Sequence, residues 1–155
     1  MVVGFAMFLV VGAMYFSHYL VITGMTPALS TWLVSLEVSP YVVIAGICVI
    51  LIFLGCFLDS TAIILITTPV FLPVVTSLGF DPIWYGVFLV MNIEIAFVTP
   101  PVGLNLYVVK NIAPEVPLAT ILKGSMPFLI LAVVGIGLVV AIPDLALWLP
   151  SQMTK

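Results

Sequence analysis

Residues 91–109 read MNIEIAFVTPPVGLNLYVV, and the TPPVG at residues 99–103 interrupts a segment that is mostly apolar from residue 82 to residue 113. One continuous helix over residues 82–113 would be about 48 Å long, whereas the hydrocarbon core of a bilayer is about 30 Å thick. A helix that is interrupted at residues 99–103 explains both the excess length and the two adjacent prolines. We therefore predict an interrupted span over residues 82–113.

The two prolines dictate the backbone chemistry of this interruption. Pro100 and Pro101 have no N–H group, so the carbonyls of Ala96 and Phe97 lose their usual helical donors. Carbonyl oxygens without donors, together with the Thr99 hydroxyl, are hard ligands of the kind that a small cation such as sodium accepts in transporters with broken helices. A simple proline kink, with the freed carbonyls satisfied by neighbouring helices, is the alternative interpretation.

The composition indicates an all-α integral membrane protein. Hydrophobic residues make up 65% of the chain and charged residues 6%, whereas an ordinary soluble domain has about 25% charged residues. A water-facing surface cannot be built from so few charges. The first residues lack the basic region of a signal peptide, so we predict that residues 2–23 form a retained span.

Three further segments complete the predicted membrane unit. The mixed segment 27–37 is typical of a helix that lies at the membrane interface. We predict a re-entrant helical hairpin over residues 40–78 and a last span over residues 125–149. Between these segments, Trp84 and Tyr85 follow a Gly-Phe-Asp-Pro turn, and we interpret them as interfacial anchors.

The segment 40–78 permits two topologies, because Asp59 interrupts it near the middle. Either two full crossings place Asp59 in a loop at the membrane surface, or a re-entrant hairpin places it at a tip inside the membrane. Non-helical backbone at membrane depth is tolerated only where protein or a water-filled cavity surrounds it. The hairpin would therefore mark a binding site.

Two carboxylates lie in apolar segments of the chain. A carboxylate at the centre of a bilayer costs at least about 2.5–3.5 kcal/mol, so Asp59 and Glu94 are functional candidates. Glu94 could instead make a structural hydrogen bond to a neighbouring helix. The predicted substrate-binding residues are Asp59, Ser60, Asn92, Glu94 and Thr99. The predicted sodium ligands, mainly through backbone carbonyls, are Gly55, Ala96, Thr99, Pro100 and Gly103, and we expect no other cofactor.

Several functional classes fit the sequence poorly. The three basic residues are all lysines, so the chain has no basic patch for nucleic acid. We expect no enzyme, because one histidine, two cysteines and scattered acids form no nucleophile–base set. Cys48 and Cys56 are interpreted as buried small hydrophobes. An accessory membrane subunit, an intramembrane hydrolase using Asp59 and Glu94, and an oligomeric channel stay as alternatives.

The chain resembles a known transporter family in four motifs. These are GCFLDSTAIILITTPVFLP at 55–73, LGFDPIWYGV at 78–87, MNIEIAFVTPPVGLNLYVV at 91–109 and IPDLALWLP at 142–150. They resemble the C-terminal part of the large membrane subunit, the DctM-like permease, of TRAP (tripartite ATP-independent periplasmic) transporters. The likeness covers most of residues 40–150, whereas residues 1–39 match only in general character.

The resemblance implies a sodium-coupled elevator symporter in the bacterial inner membrane. Such a transporter imports small organic anions, such as C4-dicarboxylates or sialic acid, that a periplasmic binding protein delivers. The implied partners are the remainder of the large permease, a small TRAP membrane subunit, the binding protein and the lipid bilayer.

The resemblance also implies that this chain supplies half of an inverted repeat. In such transporters the sites form where two hairpin tips meet two interrupted helices, and one hairpin and one interrupted helix can be assigned here. We therefore expect a C-terminal fragment of a longer permease that does not transport by itself. Ala96 stands where the family often has glycine, and we expect it to tighten any close backbone approach.

Overall fold

The computed structural model describes residues 2–35, 38–100 and 103–153, which form eight helices and no strands. The prediction of an all-α protein is confirmed. The helices are α1 (Val2–Ile22), α2 (Met25–Ser35), α3 (Pro40–Gly55), α4 (Ser60–Ser77), α5 (Pro82–Val98), α6 (Leu104–Ile112), α7 (Leu118–Ala141) and α8 (Asp144–Met153).

Helices α4 and α5 form the centre of the molecule. Helix α4 packs against α1, α2, α3 and α5, and helix α5 also packs against α3, α6, α7 and α8. Cys48 lies against Asn92, and Cys56 lies against Thr99, so α3 and α5 run in the same direction. The fully buried side chains between these helices are Ile44, Leu51, Ile63, Val74, Val75, Trp84, Phe88 and Asn92.

The segment 40–78 folds as two helices joined by a short turn at residues 56–59. Pro40 occupies the first turn of α3, where a missing N–H group does no harm. Asp59 caps the start of α4 with its side chain. Pro69 and Pro73 lie inside α4 without ending it.

The predicted helix interruption is present in the structure. Helix α5 ends at Val98, and Thr99 leaves α geometry with a ψ of 133°, as expected for a residue before proline. Gly103 has a φ of 52° and begins α6 from the left-handed region, which glycine adopts without a steric penalty. Residues 101 and 102 lie outside the described residues.

Trp84 and Tyr85 are buried, so their interpretation as interfacial anchors is wrong. Their side chains are 0% and 2% exposed. Pro143 cannot donate to the carbonyl of Val139, and the indole Nε1 of Trp84 donates to that carbonyl at 2.9 Å instead. The Trp84 side chain therefore bonds to a carbonyl of α7 that Pro143 leaves free, and this hydrogen bond links α5 to α7.

The other helix bounds differ slightly from the predicted segments. Helix α1 lies within the predicted span 2–23, and α2 begins at Met25 instead of residue 27. Positions 36 and 37 of the predicted interfacial helix 27–37 lie outside the described residues. The range 125–149, predicted as one span, contains the end of α7 and the start of α8, because a proline at position 143 interrupts the helix.

In the part of the chain that the structure describes, two helices, Ser60–Ser77 and Leu118–Ala141, are long and apolar enough to cross a membrane. Shorter apolar helical stretches are Met7–Ile22 within α1 and the helices α3 and α5. Lys110, in the last turn of α6, bonds to the connection between α6 and α7. Its Nζ donates to the carbonyls of Pro114 and Val116 at 2.6 and 2.8 Å.

Candidate ion and substrate site

The turn between α3 and α4 meets the break between α5 and α6. The thiol of Cys56 lies 3.8 Å from the carbonyl oxygen of Thr99 and 3.9 Å from that of Pro100. Cys56 is 4% exposed, whereas Pro100 is exposed, so the contact is buried on the side of the turn and open on the side of the break. The two non-helical segments that the sequence singles out, 43 positions apart along the chain, therefore form one site.

Gly55 and Ala96 make the closest packing at this site. A Cβ atom at Gly55 would collide with the Cβ atom of Ala96 and would also lie 3.5 Å from Cδ1 of Ile63. Glycine is therefore required at position 55 for α3 to approach α5 with alanine at position 96. The expectation that Ala96 occupies a close backbone approach agrees with this packing.

The helix break leaves some carbonyl oxygens available and satisfies others. The Ala96 carbonyl accepts the Thr99 N–H at 3.1 Å, so it has a donor despite Pro100. Phe97 has no such replacement, because positions 100 and 101 are both proline. Within the described part of the chain, the carbonyls of Thr99 and Pro100 receive only the weak contact from the Cys56 thiol.

The Thr99 hydroxyl lies at the same break. It donates to the carbonyl of Ile95 at 2.7 Å, and its oxygen keeps lone pairs with which it can accept a cation or a donor. The carbonyl of Gly103 accepts the N–H of Leu106 at 2.8 Å, as the first bond of α6. Gly103 therefore contributes the turn in the backbone, while its own carbonyl is already engaged.

Asp59 and Ser60 lie on the turn beside the break. Asp59 is exposed, and its Oδ2 accepts the N–H groups of Thr61 at 3.0 Å and Ala62 at 3.3 Å. These two bonds satisfy amides that otherwise have no partner at the start of a helix. The structure thus gives Asp59 a local role as a cap, and Ser60 begins α4 at the same turn.

Asn92 and Glu94 lie on different sides of α5. Asn92 is 0% exposed; its Nδ2 donates to the Phe88 carbonyl at 2.7 Å, and its Oδ1 accepts the Cys48 thiol at 2.9 Å. It faces α3, one turn before Ala96. Glu94 is exposed, so the two side chains do not converge on one ligand within the described fold.

Sequence reasoning missed the roles of both cysteines. Each was interpreted as a small hydrophobe, yet Cys48 donates to Asn92, and Cys56 contacts the carbonyls of the break. The position of Cys56 directly after Gly55 was the only available signal. Within residues 2–35, 38–100 and 103–153, no group of three His, Cys, Asp or Glu side chains could hold a metal, so backbone oxygens are the principal ligands that this site offers.

Comparisons with known proteins agree with this architecture. The sequence model of the family described as "Tripartite ATP-independent periplasmic transporter, DctM component" matches residues 1–145. The C4-dicarboxylate TRAP transporter large permease protein DctM of Pseudomonas aeruginosa is 36% identical over 147 residues, which are 95% of this chain and 34% of that protein.

Two further relatives carry other substrates in their names. The sialic acid TRAP transporter large permease protein SiaM of Vibrio cholerae is 33% identical over 123 residues, 79% of this chain and 29% of that protein. The isethionate TRAP transporter permease protein DctMQ of Oleidesulfovibrio alaskensis is 35% identical over 101 residues, 65% of this chain and 16% of that protein. The chain spans about a third or less of the length of these relatives.

Proposed function

The chain belongs to the DctM component family of the tripartite ATP-independent periplasmic transporters, which are embedded in membranes. From this premise we propose that it is the C-terminal part of a large permease. We propose that this permease couples the import of small organic anions to sodium. The permease would lie in the bacterial inner membrane as a multi-pass protein. Its proposed partners are the rest of the large subunit, a small membrane subunit and a periplasmic binding protein.

The observation that carries the proposal is the contact between the hairpin turn and the helix break. Cys56 touches the carbonyls of Thr99 and Pro100, and the Phe97 carbonyl lacks a helical donor because of Pro101. Sodium is a hard cation that takes oxygen ligands of this type. We propose that oxygens of the turn and of the break bind sodium together, with the carbonyls of Thr99 and Pro100 as the main ligands. Gly55, Ala96 and Gly103 are the other proposed residues of the shell; the carbonyls of Ala96 and Gly103 already accept backbone N–H groups and would have to share their oxygen with the ion.

The two helix ends at the break favour opposite charges. The carboxyl end of α5 carries partial negative charge, which favours a cation, and the amino end of α6 carries partial positive charge. Helix α6 has no side-chain cap at Gly103, so its first amides can receive a carboxylate or a sulfonate. The same break can thus bind sodium at the end of α5 and an organic anion at the start of α6. The chain has no arginine to pair with the anion, so the helix end would take that role.

The length of α3 supports a re-entrant hairpin. With 16 residues, α3 is about 24 Å long, shorter than the roughly 30 Å of the hydrocarbon core. If Pro40 lies at one surface, the turn at residues 56–59 ends inside the membrane. We propose that the hairpin α3–α4 and the broken helix α5–α6 move together, as the mobile part of an elevator.

The named relatives support the class of substrate. Their substrates, C4-dicarboxylate, sialic acid and isethionate, are all small organic anions. We propose the same class for the permease to which this chain belongs. Thr99 lies at the break, and Asp59 and Ser60 lie at the adjoining turn, so these three stay proposed substrate contacts. Asn92 and Glu94 stay candidates, but only one of them could contact the same ligand, because they lie on different sides of α5.

A sodium titration of the complete permease tests the ion site. The permease is reconstituted with its partner subunits, and uptake of a radiolabelled organic anion is measured against sodium concentration, with choline as the balancing cation. We expect Thr99→Val, which keeps the shape but removes the hydroxyl oxygen, to raise the half-saturating sodium concentration about tenfold or more, the range for one lost bond to a charged group. Thr99→Ser should stay close to the parent protein.

A matched control separates this effect from general damage to the protein. Thr76 lies on the exposed surface of α4 and bonds back to its own helix at the Leu72 carbonyl, at 3.0 Å, so Thr76→Val should leave the sodium dependence unchanged. Uptake that is independent of sodium in the parent permease would refute the coupling. An unchanged sodium titration in Thr99→Val would show that this hydroxyl does not bind the ion.

A further inference from the structure

The short helix α8 follows directly after α7, the longest helix of the described chain. Residues 124–143 contain no charged residue, and Lys123 and Asp144 flank them. At about 1.5 Å per residue, a helical segment of this length measures about 30 Å, which is the thickness of the hydrocarbon core. Charged side chains avoid that core, so Asp144 lies at one edge of it. Helix α8 therefore begins at a membrane surface.

Helix α8 does not continue straight on from α7. Ile142 leaves helical geometry, with a φ of −130° and a ψ of 81°, and Pro143 after it has no N–H group to donate. Helix α8 packs against α5 as well as against α7. The first turn of α5 already lies beside the end of α7, because Trp84 bonds to Val139. A straight continuation of α7 would pass beyond α5, so α8 turns across the end of this helix pair.

One face of α8 packs on the protein, and a second face is apolar but exposed. Ala146 and Leu147 are partly buried against the hydrophobic core. Leu145, Leu149 and Met153 recur at every fourth position, so they lie on one face of the helix. Each of these three side chains is more than half exposed. We call this face the apolar stripe of α8.

A third face, next to the apolar stripe, carries polar groups. Asp144, Trp148 and Gln152 follow the same spacing of four and are all exposed. The carboxylate and the amide require water or another hydrogen-bonding partner. The indole of Trp148 has an apolar body and a polar N–H group, and tryptophan is enriched where a membrane meets water. We call this face the polar stripe of α8.

The two exposed stripes require two different surroundings at the same time. In water, the apolar stripe would be an unfavourable exposed surface, and inside the hydrocarbon core the carboxylate of Asp144 would be costly. The boundary between headgroups and acyl chains provides both surroundings, with lipid chains on one side of a helix and water on the other. The position of Asp144 at the end of the uncharged segment 124–143 places α8 at this boundary independently of the stripes.

We propose that α8 lies parallel to the membrane surface and binds the lipid interface, with its apolar stripe among the upper parts of the acyl chains and its polar stripe at the level of the headgroups. Helix α8 contains no lysine or arginine, so burial of apolar side chains holds it, and neutral lipids suffice as the partner. This surface does not depend on the proposed sodium site, because the two share no residue.

Quenching of tryptophan fluorescence by brominated lipids measures the depth of Trp148 in the complete permease. The permease is reconstituted in phosphatidylcholine vesicles whose acyl chains carry bromine either near the headgroup or near the terminal methyl group. The signal of Trp148 is the difference between the parent protein and Trp148→Phe, so the other tryptophans cancel. We expect shallow bromine to quench this signal at least about twofold more than deep bromine, because the apolar face of an interfacial helix enters the bilayer by only about 5–10 Å.

Each of the other results would overturn the proposal. Stronger quenching by deep bromine would place Trp148 inside the hydrocarbon core, as part of a membrane crossing. Quenching by aqueous iodide alone would place α8 in water. Quenching by neither reagent would mean that another part of the permease or a partner subunit covers the helix. A change of quenching when phosphatidylglycerol replaces part of the phosphatidylcholine would show that charge contributes to the binding.

Two matched charge substitutions test the stripes by a second route. Leu149→Glu places a carboxylate on the apolar stripe, and Gln152→Glu places the same group on the polar stripe of the same helix. We expect Leu149→Glu to reduce the quenching of Trp148 by shallow bromine by roughly half or more, because the carboxylate draws α8 away from the acyl chains. Gln152→Glu should leave the quenching unchanged. Equal effects of the two substitutions would contradict the assignment of the stripes.

Discussion

Gly55→Ala tests the close approach between the hairpin turn and the helix break. Gly55 does not have a positive φ, so alanine can adopt its backbone conformation. Alanine favours the helix by up to about 1 kcal/mol, whereas overpacking a closed contact costs about 1–3 kcal/mol. The colliding atom is the Cβ of Ala96, which is fixed to the backbone of α5 and cannot rotate away. The cost should therefore lie in the upper part of its range, about 2–3 kcal/mol, and after subtraction of the gain we expect a net loss of about 1–2 kcal/mol.

This loss should appear in the sodium dependence of the permease. Relief of the collision requires α3 to move away from α5, which separates the turn from the carbonyls of Thr99 and Pro100. If Gly55→Ala destabilises the sodium-bound form by about 1–2 kcal/mol relative to the sodium-free form, the half-saturating sodium concentration rises by a factor of about 5–30. Uptake titrations and melting curves, each measured in sodium and in choline, report the two effects separately.

A compensating substitution makes the argument refutable. Ala96→Gly in the Gly55→Ala background transfers one methyl group from α5 to α3 and removes the collision. Ala96→Gly alone should destabilise the protein by about 1 kcal/mol through helix propensity. The double variant should recover at least about 1 kcal/mol relative to the sum of the single variants. A neutral Gly55→Ala, or strictly additive effects, would show that the close approach does not exist.

Three more substitutions follow from individual contacts. Asp59→Ala removes the cap of α4 and should destabilise the protein by about 0.5–2 kcal/mol in a melting assay. Asp59→Asn keeps a capping oxygen and should have nearly the stability of the parent protein. A transport defect that persists in Asp59→Asn would show that transport needs the charge. Trp84→Phe leaves the Val139 carbonyl without its donor, so melting curves should show a loss of stability of about 1–3 kcal/mol. An unchanged stability would mean that another group donates to this carbonyl. Gly103→Ala forces a side chain into a left-handed conformation at a cost of about 1–2 kcal/mol, and circular dichroism should show equal helix content with a lower melting temperature.

The sequence alone determined the two interruptions in the backbone. Pro100 and Pro101 cannot donate hydrogen bonds, and Gly103 accepts a positive φ, so the break between α5 and α6 was predictable. The interruption at Asp59 was likewise predictable, because a carboxylate is costly inside an apolar segment, although its role as the cap of α4 was not predicted. These features were accessible because each depends on residues within one helical turn of one another.

Only the tertiary structure decided which groups meet. The contact of Cys56 with the break, the bond from Cys48 to Asn92 and the burial of Trp84 all join residues more than forty positions apart. Hydrophobicity could not distinguish these positions, because lipid-facing and protein-facing side chains are equally apolar in this chain. The direction of each side chain depends on how helices pack, and that follows from close approaches such as Gly55 against Ala96, which no local pattern records.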